Sequence, residues 1–231
     1  MEFGGLIAMA SVSLIDPTVQ QYGRVVVGAG SLIEANVILG HPGPKEVNAG
    51  ARDQDRYDSL AEFYCAIAQC PTVIGEGAIV RSGSVIYAGA VIGRAFDCGH
   101  NVTIREGTAI GDGVYVKNGA EIMKNVQIGD GCRIAGVIAD EVVLGERVSS
   151  FGVLTHAYRD YISPALGRTV DAQAAAPLDA PLVEDDVIIG RGAVVIGRRT
   201  IHSGAVVGAN AVITFDVPSG ARVVGPLPSR K

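Results

Sequence analysis

The chain has 231 residues, a net charge of −5, no Trp and few other aromatic side chains, with 31 Gly alongside abundant Val, Ile and Ala. That length fits one large domain or two small ones, and an acidic chain without an aromatic stacking platform argues against nucleic acid as a partner. No run of about eighteen apolar residues occurs, so no transmembrane helix is expected.

The opening stretch, MEFGGLIAMASVSLIDPTV, lacks a basic leading segment and carries Glu2, so it reads as cytoplasmic rather than secretory. A first piece of repeat runs from about Ile15 to Leu39, with Val27, Ile33 and Leu39 in step and Gln21 out of step. An insertion over roughly 41–72 opens on His41-Pro42-Gly43-Pro44, a breaker. Its second half predicts a short helix: Ser59 and Glu62 make a capping box, Leu60, Phe63, Tyr64 and Ile67 an apolar stripe, and Pro71 the stop.

From Ile74 an aliphatic residue returns at every sixth position: Val80, Ile86 and Ile92, then Cys98 in the same place, then Ile104, Ile110, Val116, Ile122, Ile128 and Ile134. The beat slips by two residues and resumes at Ile138 and Leu144. A second excursion, about 156–182, abandons the repeat and contains three prolines; so long a loop is often a lid or binding loop. Val183, Ile189, Val195, Ile201, Val207 and Ile213 restore the beat, the last coils end near Val217, and the tail ARVVGPLPSRK leaves it.

A period of six fits neither a helix nor a hairpin sheet. It predicts an all-β solenoid, a parallel β-helix filling residues 1–231 as a single domain. In each hexad the aliphatic residue points inward, and a nearby Gly, Asn or Asp takes the turn. Three hexads close a triangular coil of about eighteen residues, and coils stack at roughly 4.8 Å.

The four cysteines, Cys65, Cys70, Cys98 and Cys132, show no paired metal spacing and read as small buried hydrophobes in a reducing compartment. The glycine pairs at 28/30, 75/77 and 111/113 lack the third Gly of a dinucleotide fingerprint and read as turns. Residues 187–231 carry Arg191, Arg198, Arg199, Arg222, Arg230 and Lys231 against Asp216 alone. A basic end on an acidic chain points to an anionic ligand.

The segment DDVIIGRGAVVIGRRTIHSGAVVGANAVITFDVPSGARVVGPLPSR (185–230) resembles the closing coils of hexapeptide-repeat acyltransferases. RSGSVIYAGAVIG, GHNVTIREG and GVLTHAYRD extend the resemblance toward the branches acting on sugar nucleotides, amino sugars and xenobiotics. It implies a left-handed β-helix, acetyl-CoA or another acyl-CoA as co-substrate, a small-molecule acceptor and a homotrimer with sites between subunits, without nucleic acid or membrane as partner. Thr155-His156 matches the junction where the galactoside and streptogramin branches carry their general base, and imidazole titrates near working pH.

His100, in a turn between Asp97 and Glu106, is the second catalytic candidate. The spacing of the two histidines places them a little over three coils, roughly 15 Å, apart along the axis, which is too far for one proton transfer. His202 reads as an exposed turn residue, and His41 precedes Pro42 at the head of the first insertion.

For coenzyme A, the resemblance points to Gly192, Ala193, Gly208 and Ala209 along the groove and to Arg199, Arg222 and Arg230 for the phosphates. Phe215 stands where relatives often carry Lys. A γ-type carbonic anhydrase needs closely spaced zinc histidines, and positions 41, 100, 156 and 202 supply none. The alternative of another class is a non-catalytic β-helix that binds or scaffolds.

Overall fold

The computed structural model describes residues 12–157 and 179–225. Three sheets of ten, nine and eight strands, every neighbouring pair parallel, run the length of the described chain. The chain visits sheet one (from Leu14–Ile15), sheet two (from Gln20–Gln21) and sheet three (from Val25–Val27) in turn, then starts the next coil. The expected solenoid is thus what the chain forms.

Register follows the beat. Val80 lies opposite Cys98, Cys98 opposite Val116, and Val116 opposite Ile134. These residues are wholly buried, as are Ile86, Ile104 and Ile122. The hexad has a second inward position, two residues earlier, which the aliphatic beat alone does not reveal. It is held by Ala78, Val102, Val114, Ala120, Val126 and Cys132, mostly small residues that fit the tight corners.

The two-residue slip is a shortened turn: Ile122 pairs with Ile138, and Ile134 with Ser150. Gly136 absorbs it at φ 93°, where a Cβ would lie 2.3 Å from the carbonyl oxygen of Gly152. A second shortening follows Ile213, because Val217 bridges Ile201. The tail then does not leave the solenoid at once; Arg222–Val223 adds the tenth strand of sheet one beside Val206–Val207. Of the tail, residues after 225 lie outside the described part.

The first insertion holds more helix than the sequence pattern foretells. Pro44 does not merely break the chain. It opens a helix α1, Pro44–Gly50, where its missing N–H costs nothing at the first turn. A 3-10 segment, Ala51–Arg56, follows, then the expected helix α2, Leu60–Ile67. Ser59 caps α2 by accepting from the Glu62 N–H at 3.1 Å, but the Glu62 carboxylate reaches back to the N–H of Asp58, not Ser59. Phe63 is buried while Leu60 is 62% exposed, so the stripe is narrower than expected. Cys98 and Cys132 are buried as expected; Cys65 and Cys70 are exposed, which corrects that reading for half of the cysteines. No helix among the described residues is long and apolar enough to cross a membrane.

Both insertions depart from the same edge. The first leaves after Ile38–His41 of sheet two and returns as Thr72–Ile74 of sheet three. The second leaves after Val153–Thr155 of sheet two and returns as Leu182–Val183 of sheet three.

Candidate active site

Along that edge the residue two places after each inward residue of sheet two forms a column. Ile86, Ile104, Ile122, Ile138 and Leu154 pair in succession, which stacks Ala88, Glu106, Lys124, Asp140 and His156 one rung apart. Gly197 and Phe215 extend the column, each two residues after Val195 and Ile213.

His156 is buried, with Nε2 2.8 Å from the backbone oxygen of Asp140. A carbonyl oxygen can only accept, so Nε2 carries the hydrogen, and in the neutral ring Nδ1 holds the lone pair. Asp140 is itself fixed: its Oδ1 accepts from the Lys124 N–H at 3.1 Å, and Lys124 Nζ stands 3.7 Å from Oδ2. Beside them, Thr155 Oγ1 and Arg199 Nε are buried with no hydrogen-bond partner among the described residues. The Arg198 N–H donates to Asp179 Oδ1 at 2.7 Å, which ties the returning end of the second insertion to this edge.

His100 lies elsewhere. It follows Asp97–Cys98 at the edge between sheets one and two, and its coil is three rungs from that of His156. Its backbone N–H is held by Asn118 Oδ1 at 3.0 Å, and its half-exposed ring faces Glu34 at 3.8 Å. The carboxyl of Glu34 is held below its usual range, first by the backbone N–H of Ser82 and then by the Ser82 hydroxyl. The structure therefore separates the two histidines within the protomer, by different edges as well as by height. His202 is similar: a half-exposed turn residue 3.0 Å from Glu184. His41 packs among Tyr22, Tyr64 and Tyr87.

The residues expected to meet coenzyme A are dispersed over the upper coils. Gly192, Gly208 and Ala209 sit in turns between sheets one and two. The side chain of Ala193 is turned into the core and leaves only its backbone to a groove. Phe215, half-exposed, and Arg199 flank the His156 edge; Arg222 lies on sheet one. Arg230 and most of the second insertion, residues 158–178, lie outside the described residues.

Sequence reasoning missed Asp140 and Lys124. The signal was present: Asp140 follows Ile138 by the same two residues that separate His156 from Leu154, once the slip is counted. No group of three or more metal-binding side chains occurs among the described residues.

No family model matches the chain. Among curated proteins, it is similar to a serine acetyltransferase of Synechococcus elongatus, 33% identical over 85 residues, which cover 37% of this chain and 25% of that protein. It is also similar to 2,3,4,5-tetrahydropyridine-2,6-dicarboxylate N-acetyltransferase of Staphylococcus aureus, 40% identical over 60 residues, 26% of this chain and 24% of that one. The match thus spans about a quarter of each relative's length. Among solved structures, a GDP-perosamine N-acetyltransferase of Caulobacter crescentus in complex with CoA aligns over 58% of this chain and 53% of that one, at 19% identity and a TM-score of 0.38. An Arabidopsis UDP-N-acetylglucosamine acyltransferase aligns over 92% and 71%, at 15% identity and a TM-score of 0.40. Likenesses that loose bear no weight for the reaction. The resemblance to hexapeptide-repeat acyltransferases rests instead on the six-residue solenoid and on sequence relatives that are named acetyltransferases.

Proposed function

We propose that this β-solenoid is an acyl-CoA-dependent acyltransferase, most simply an acetyltransferase, which acylates an amine or hydroxyl of a small acceptor such as a sugar nucleotide or amino sugar. One observation carries the reading: the buried His156 donates from Nε2 to a backbone carbonyl, so that Nδ1 is the basic nitrogen, at the mouth of the second insertion. The acceptor's nitrogen or oxygen attacks the thioester carbonyl while Nδ1 takes its proton. The tetrahedral oxyanion is met by backbone N–H groups of the coil turns. Collapse breaks the carbon–sulfur bond, and the imidazolium returns the proton to the departing thiolate.

Sequence likeness to two named acetyltransferases supports the reaction class. The surplus of arginines over acids after residue 187 suits an anionic cofactor. In this reading Arg199, Arg222 and Arg230 serve its phosphates, Phe215 packs on its body, and a cytoplasmic homotrimer places the cofactor between solenoids. His100 belongs to a turn network and takes no proton.

The test is coenzyme A in a thermal-shift titration, followed by a thiol-release screen of amines, sugars and sugar nucleotides with acetyl-CoA. Ligand at 100 times its Kd stabilises the native state by about 2.7 kcal/mol. A raised melting temperature with acceptor-dependent thiol release is expected. A melting temperature indifferent to millimolar coenzyme A would return the chain to the scaffold alternative.

A further inference from the structure

A cavity of about 750 Å³ lies between the first insertion and the solenoid edge that carries His156. Its walls are largely apolar, with Ala49, Ile67, Ala68, Pro71, Ala88 and Val91 among them. Two carboxylates enter it, from Glu46 on α1 and Glu106 on the column. They converge at Gly43: a Cβ built there would lie 2.5 Å from Glu46 Oε2 and 3.1 Å from the Glu106 carboxyl carbon. The backbone at Gly43 therefore lies directly against both carboxylates.

The two acids are not equivalent. Glu106 is gripped by Arg105 through two bonds of 2.7 and 2.8 Å. Burial raises its carboxyl, but the Arg105 bonds, its own backbone N–H and the charges of Arg105 and Lys124 together hold it below the usual range. Arg105 is spent on that grip and on the ring of Tyr87, 4.8 Å away. Glu46 has no ion pair or hydrogen bond among the described residues. Glu46 is exposed, on the solvent side of the cavity. A largely apolar chamber with an Arg-paired acid within and an unpaired acid at its solvent side suits an organic cation: the ammonium is drawn to the acids and its hydrocarbon to the walls.

We infer that this cavity binds the cationic, apolar-bodied end of an elongated acceptor, whose reacting amine or hydroxyl lies along the same edge at His156. Glu106 stands three rungs from His156, roughly 14 Å at the strand spacing. The group held at the carboxylates is therefore not the group acylated; the cavity anchors one end and the imidazole serves the other. The assignment rests on the acyl-transfer reading for its purpose, but the binding itself does not.

The probe is 4-fluorophenethylamine, with its neutral counterpart 4-fluorophenethyl alcohol, followed by ¹⁹F NMR titration of the full chain in low salt. The amine is expected to bind at least tenfold more tightly than the alcohol. Glu46→Gln should abolish most of that difference. Ala49→Trp, which fills the chamber from the exposed side of α1, should weaken both probes at least fivefold while leaving the melting temperature and its response to coenzyme A unchanged. Equal binding of amine and alcohol overturns the assignment, as does an Ala49→Trp variant that binds like the parent. A protein that binds the amine as described but never responds to coenzyme A keeps the cavity and loses the acyl-transfer reading.

Discussion

Ser150 occupies an inward position between Ile134 below and Ile189 above, and its buried hydroxyl has no partner among the described residues. An unsatisfied buried hydroxyl costs about 1–3 kcal/mol. Ser150→Ala is therefore expected to stabilise the chain by about 1 kcal/mol, read as a rise of about 2–4 °C in melting temperature; a fall would mean that the hydroxyl has a partner after all. Glu106 predicts a pH effect with a definite sign. Its folded carboxyl is depressed, so its contribution is present above the ordinary Glu range, near 4.5, and is lost as pH falls through the lowered folded value. Glu106→Gln should flatten the acid side of the stability–pH curve in urea unfolding below about pH 4.5, and an unchanged acid limb would contradict the Arg105 pairing. At this scale the sequence exposed the histidines but not their surroundings. Which nitrogen of His156 is basic depends on the Asp140 carbonyl, a backbone atom brought close only by coil stacking.

Among the elements, the strands were easiest to read because each hexad repeats the same burial. The shortened turn after Ile134 shows how a solenoid loses two residues without losing its core: Gly136 adopts a conformation and a closeness to Gly152 that no other residue can match. Gly136→Ala is expected to cost about 2 kcal/mol in urea unfolding, whereas the same change at an open turn glycine such as Gly113, whose Cβ would meet nothing, should cost less. In the first insertion, α2 was legible through its capping box and α1 was not, because Pro42 and Pro44 read as punctuation when one of them is a helix start. Ser59→Ala should cost about 1 kcal/mol, visible as faster amide exchange in α2 with the solenoid amides unchanged; equal loosening of both would show that insertion and coils unfold as one unit.

For the molecule as a whole, the periodicity determined the stack of coils and the height separating His100 from His156. It did not reveal that both insertions leave one edge, because that depends on which of three sheets each hexad joins, and between the two departures the count is disturbed by the first insertion and by the shortened turn after Ile134. Nor could it show the cavity, whose lining draws on residues 42–71 and 88–125 across a break in the repeat. With that topology known, the edge acquires a consistent polarity: a carboxylate-lined chamber at one end, an alternating column of Glu106, Lys124 and Asp140, then the imidazole, then the arginine-rich final coils. Acyl transfer at this edge is tested most directly by the rate of thiol release from acetyl-CoA with an active acceptor, compared between the parent chain, His156→Ala and His100→Ala. A general base contributes about 10²–10⁴ in rate, so His156→Ala should lose at least 100-fold while His100→Ala stays within threefold; a His156→Ala variant that keeps a tenth or more of the parent rate would contradict the assignment.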